Sequence, residues 1–160
     1  MLTPITSENQ ARDLFDSGYF CAESVLMAIA RQSGIESPLI PRIATGFCGG
    51  ISRTSGLCGA LTGGIMALSL IYGRDLPTDS RDTNYSLVQR FLDTFVREFG
   101  SMNCSDILGC DISTPQGSRQ FASENLESSI CANVTARAAG MVTEIINAHV
   151  DEDSSLTAAG

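Results

Sequence analysis

The chain has 160 residues, 18 acidic against 10 basic side chains and a formal net charge of -8, a length that suits one domain with one core. That balance, with no basic run, excludes nucleic acid and anionic lipid as expected partners. The first 25 residues carry acids and no apolar segment behind a positive flank, so no secretory signal is read and the six cysteines are placed in a reducing cytoplasm.

The first predicted helix runs over Ser24 to Gln32, with Val25, Leu26 and Ile29 at helical spacing, a start upstream near Ser17 or Gly18, and Gly34 as its stop. Pro38 and Pro41 suit a first turn, which predicts a short helix from Leu39 to Phe47 closed by Gly49 and Gly50. Residues 55 to 73 then read SGLCGALTGGIMALSLIYG, 19 residues without a charge. As a helix the run spans roughly 28 Å, enough for a bilayer. Its five glycines and the acidic composition around it favour a buried central helix from Leu57 to Tyr72, with no membrane insertion.

A polar loop around Pro77 leads to the clearest helix, residues 84 to 99, whose apolar stripe is Val88, Phe91, Leu92, Phe95, Val96 and Phe99. A short turn SDILG, a loop STPQGS and a polar stretch through Ser129 follow. The last predicted helix covers Ile130 to Ala148, with Val134, Ala138, Met141, Val142 and Ile145 inward. No alternating strand pattern stands out. The expectation is an all-α, single-domain array of five to seven helices over residues 1 to 150, with 151 to 160 a disordered acidic and polar tail.

The cysteines lie at 21, 48, 58, 104, 110 and 131. No C-x-x-C occurs, so neither a thioredoxin-like dithiol nor a zinc knuckle is indicated. Cys21, Cys58 and Cys104 fall near helix starts, with Ser55 a candidate cap before Cys58; unpaired amides there favour thiolate, the form that metals and redox chemistry use. Cys131 begins the last helix or lies inside an earlier turn, and Cys48 and Cys110 read as packed or supporting groups. His149, the lone histidine, sits near the end of the last helix, where the dipole accounts for it, and zinc-hydrolase or triad arrangements lose their partner. The glycines of GFCGGISRTSG do not form a phosphate loop, and Arg53 reads as solvated, with a charge for an anionic ligand as the alternative.

The phrases YFCAESVLMA, GFCGGISRTSGLCGALTGG, EFGSMNCSDILGCD and the late Cys131 resemble the family of redox-active proteins with a C...CGAxxG...C...C pattern. The resemblance covers residues 15 to 148 and implies Cys21, Cys58, Cys104 and Cys131 as the family's four cysteines. Cys48 stands where the family more often has glycine, Phe20 where it often has asparagine, and Cys110 at a variable place. The family is often encoded beside transporters or oxidoreductases, and a related domain is similar to one in a split-Soret type cytochrome that also holds an iron-sulfur centre.

The resulting expectation is a redox protein whose Cys21, Cys58, Cys104 and Cys131 ligate an iron-sulfur cluster for electron transfer, with Gly59 and Gly63 leaving room for it. Zinc on the same ligands, or no metal, is the alternative cofactor state. A dithiol enzyme with Cys58 attacking and Cys21 or Cys104 resolving is the second reading, and a structural or interaction domain with packed cysteines is the third. The expected partner is a redox protein, such as a transporter-associated or oxidoreductase component, and a homodimer is compatible with a small bundle.

Overall fold

The computed structural model describes residues 3–158 and is helical throughout, with no strand among those residues. Six helices have nine residues or more: α1 (Pro4–Asp16), α2 (Cys21–Gln32), α4 (Gly59–Tyr72), α5 (Asp82–Phe99), α7 (Pro115–Ser123) and α8 (Ala132–Ala158). Two short ones, α3 (Cys48–Ile51) and α6 (Cys104–Leu108), carry cysteines at their first residues. A 3-10 segment (Arg42–Phe47) precedes α3, and a π turn (Glu127–Cys131) runs into α8.

The core forms where α1, α2, α4, α5 and α8 pack on one another. Glycine-rich α4 sits in the middle, with Gly59 through Gly64 all buried, as expected of an uncharged helix in an acidic chain. No helix among the described residues is long and apolar enough to cross a membrane. On α5, Phe91 and Phe95 are fully buried, and each contributes roughly 1.5–3 kcal/mol by leaving water. The stripe is rotated slightly from its expected position: Leu87 is buried, while Val96 is 37% exposed. The expected inner face of α8 is buried at all five positions. A second, smaller apolar cluster gathers Cys104, Leu108, Cys110, Ile112 and Leu126.

Several boundaries move for identifiable reasons. Helix α2 starts at Cys21 because the Glu23 carboxylate accepts the Phe20 N–H at 3.0 Å, fixing the entry there. Helices α1 and α7 form where no helix was expected, and both begin Thr-Pro: Thr3 and Thr114 at the cap, Pro4 and Pro115 in the first turn. Thr114 accepts the Gly117 N–H at 3.0 Å, so STPQGS opens a helix rather than a loop.

The expected tail from residue 151 instead prolongs α8 through Ala158, with residues 159 and 160 outside those described. Nothing between 149 and 158 stops a helix, and Arg90 of α5 reaches Glu152 at 3.2 Å. His149 is therefore mid-helix rather than at a C-terminal dipole. Its ring packs edge-on against Tyr72 at 5.2 Å.

Candidate four-cysteine site

The site is built at the seam between the two apolar clusters. Cys21 opens α2, and Cys58 is the cap residue of α4, held in an extended conformation (φ -57°, ψ 133°) rather than in its first turn. Cys104 opens α6, while Cys131 ends the π turn that continues into α8, so it lies within a helical run and not at a free helix start. All four line one cavity of about 80 Å³, with Phe15, Ile112 and Phe121 among its apolar walls.

Two backbone devices bring these segments together. The first is an isolated antiparallel bridge between Leu57 and Asn103. Cys58 N–H donates to Met102 C=O at 2.8 Å and Cys104 N–H to Gly56 C=O at 2.7 Å. Residues on either side of a bridged pair point to the same face, so the bridge sends the Cys58 and Cys104 side chains the same way although 45 residues separate them. The second is a left-handed turn, Gly49 to Arg53, in which all five residues have φ between 53° and 64°. Left-handed backbone costs a non-glycine residue about 1–2 kcal/mol, and Ile51 is branched. The strain concentrates beside the cavity, where such strain commonly marks a functional constraint. It lets Gly50 approach Cys104: a Cβ on Gly50 would lie 2.5 Å from the Cys104 Cβ.

Gly59 and Gly63 of the central helix both face α2, and Gly59 also lines the cavity. A Cβ on Gly59 would lie 2.2 Å from Cys21 Sγ, and one on Gly63 would lie 2.6 Å from the Ala22 carbonyl oxygen. Both admit α2 to the surface of α4, and Gly59 lets the Cys21 thiol sit close against the cavity wall.

Burial decides the state of the thiols. Desolvation pushes Cys58 up to about 11, against the α4 amides of Ala60 and Leu61, which pull the other way. It likewise pushes Cys104 up to about 11, with Cys110 adding to the rise and Arg53 opposing it. Cys131 is pushed up to about 12 by burial and then by Cys104 and Cys58. At Cys58 the helix-start amides favour thiolate, and burial opposes them with the larger effect. Without a cation, these groups are neutral thiols at pH 7.

Cys48 and Cys110, expected as packed or supporting groups, and Arg53 also stand near the cavity. Cys48 is buried and shares a hydrogen bond with Cys21, the largest influence holding its thiol far above the ordinary range, followed by burial. Cys110 is buried in the smaller cluster and bears electrostatically on Cys104 and Cys131. Arg53 is exposed, as expected, and also borders the cavity: it donates to Ser118 Oγ at 3.1 Å and lies 5.9 Å from the Phe121 ring centroid. Its place in GFCGGISRTSG was visible in the sequence, but the left-handed turn that aims it was not. Ser55, expected as the α4 cap, has φ 59° and makes no such cap.

Four cysteines from four segments on one cavity match a known cysteine pattern. The family described as "Putative redox-active protein (C_GCAxxG_C_C)" matches residues 19–145. The chain belongs to this family. The match spans every element that carries a site cysteine, and the central phrase of this member is Cys58-Gly59-Ala60-Leu61-Thr62-Gly63. No curated protein and no solved structure matches the chain.

The donor set can be tested against the metals it was expected to hold. Among the described residues, no three histidine, cysteine, aspartate or glutamate side chains gather closely enough to hold one metal ion. A closed zinc site needs four ligands around a single point. A [2Fe-2S] cluster divides four thiolates between two irons. That demand is compatible with thiols spread around a cavity.

Proposed function

We propose that this redox-family member is an electron-transfer protein in which Cys21, Cys58, Cys104 and Cys131 hold an iron-sulfur cluster of the [2Fe-2S] type. The observation that carries the reading is the convergence of four thiols, from α2, the α4 cap, α6 and the π turn, on one largely apolar cavity. Dithiol chemistry needs two of them. When bound, the cluster supplies a one-electron couple whose potential responds to charge, hydrogen bonds and solvent exposure.

The chain's own residues set those conditions. Phe15, Ile112 and Phe121 keep the walls apolar, and the Leu57–Asn103 bridge fixes the relative positions of Cys58 and Cys104. The Ala60 and Leu61 amides and the Arg53 guanidinium favour negative charge on Cys58 and Cys104 respectively. With net charge -8, the docking partner is a redox protein with a basic face.

A second reading has one observation in its favour. Cys58 and Cys104 share a face on either side of the Leu57–Asn103 bridge, which makes them the pair a dithiol cycle would use. In that cycle the two thiols lose two electrons and two protons, and a partner's disulfide is reduced to a dithiol. Burial of Cys58 weighs against it as a fast nucleophile at neutral pH.

Anaerobic purification followed by iron and acid-labile sulfide analysis, visible absorption and electron paramagnetic resonance separates the two. Equimolar iron and sulfide, lost on Cys→Ser change at any of the four positions and retained in Cys110→Ser, supports the cluster. An iron-free chain whose free-thiol count falls reversibly by two, with Cys58 and Cys104 joined on peptide mapping, overturns it in favour of the dithiol.

A further inference from the structure

Thr135 lies on α8 one turn beyond Cys131, so both project from the same side of that helix. It is fully buried and lines the four-cysteine cavity. Its hydroxyl has no hydrogen-bond partner. A buried hydroxyl without a partner costs free energy, and a helical threonine has an easy remedy in the carbonyl one turn back. Thr94 takes that remedy, donating to Arg90 C=O at 2.8 Å, and Thr62 donates to Gly59 C=O at 3.1 Å. On α8 itself, buried Thr143 pairs with Ser7. Thr135 does neither.

Four buried side-chain oxygens among the described residues lack partners, on Ser24, Ser33, Ser55 and Thr135. Only Thr135 also lines the cavity. A hydroxyl there needs an acceptor. The side chains on the cavity wall that can accept are the cysteine sulfurs and Glu127, and Glu127 belongs to the exposed π turn. Arg53 can only donate.

We infer that Thr135 Oγ1 donates a hydrogen bond to sulfur at the four-cysteine centre and raises its reduction potential, as a positioning residue that holds no metal and takes no electron itself. The inference rests on the redox reading of that centre. The reduced state concentrates negative charge on sulfur, so a donor stabilises it more than the oxidised state.

The test compares Thr135→Val, which keeps the shape and removes the donor, with Thr135→Ser, which keeps the donor; Thr135→Ala replaces the valine variant if that does not fold by circular dichroism. Midpoint potentials are read by mediated titration of the cluster-loaded proteins, and thiol–disulfide equilibria of the iron-free proteins are read against glutathione buffers. Loss of the hydroxyl is expected to disfavour the reduced cluster about tenfold, a shift of about 59 mV to more negative potential for one electron, and the serine variant is expected to restore the wild-type value. The iron-free couple, in which the thiols are neutral and the hydroxyl has no partner, is expected to stay within about threefold of the wild-type value. A cluster couple that the hydroxyl-free variant leaves within about threefold, or that both variants shift equally, or a wild type that holds a thiol couple but no iron, overturns the Thr135 assignment alone. A wild type with neither iron nor a reversible thiol couple overturns the redox reading, and the Thr135 assignment falls with it.

Discussion

Adding one methyl group at Gly59 tests how the site is assembled. The new Cβ would lie 2.2 Å from Cys21 Sγ, 3.1 Å from the Phe47 carbonyl oxygen and 3.2 Å from the Cys48 Cα. The sulfur must move, and the two backbone contacts restrict the direction in which α4 can retreat. Overpacking of this kind costs about 1–3 kcal/mol. Alanine recovers roughly 0.5–1 kcal/mol of helix preference over glycine, so Gly59→Ala should lose about 1–2 kcal/mol net. For a chain of this size that lowers the melting temperature by roughly 2–8 °C. Gly64→Ala is the matched control: its Cβ would meet the Phe91 ring at 2.4 Å, an equally close core clash outside the cavity wall. Thermal unfolding and iron content are measured on both variants. Both should be destabilised, and only Gly59→Ala should lose iron or, in the iron-free protein, alter the alkylation rate of Cys21. A Gly59→Ala protein that melts with the wild type and keeps its iron would refute the idea that this glycine seats the Cys21 thiol.

In the reduced, metal-free protein, stability should fall as pH rises from about 9 to 11. Cys58 and Cys104 have ordinary values of 9.0 and are pushed up to about 11 in the fold, so in this window the unfolded chain has released protons that the folded chain keeps. The slope is about 1.4 kcal/mol per pH unit for each thiol; below pH 9 both states are protonated and the contribution is flat. Urea titrations at pH 8, 9 and 10 check this, and unchanged stability at pH 10 counts against buried neutral thiols. Arg53→Gln should slow alkylation of Cys104 roughly threefold, the scale of one solvent-exposed charge contact, and leave Cys58 unaffected; equal slowing at both positions would mean that the loop had moved instead.

Much of this protein was legible in its residues. An apolar stripe at helical spacing and an uncharged run inside an acidic chain were enough for an all-helical core with α4 at its centre, because burial patterns are local and periodic. The four cysteines were legible through their resemblance to a family pattern, and the chain belongs to that family. The missed helices α1 and α7 were also within reach, since Thr-Pro at each start is a capping signature.

What only the tertiary structure decided depends on approaches between segments far apart in the chain. Gly59 and Gly63 could be read as space, but only the fold shows that α2 lies against both and that Gly59 also borders the cavity. Cys48 is packed, as its sequence position suggested, but only the fold shows that it packs on Cys21, and only the left-handed turn brings the exposed Arg53 to the cavity rim. The charge state of the cysteines reversed for the same reason. A helix start is a local feature that favours thiolate, whereas desolvation is set by everything that closes over the sulfur, and at Cys58 the second effect is larger.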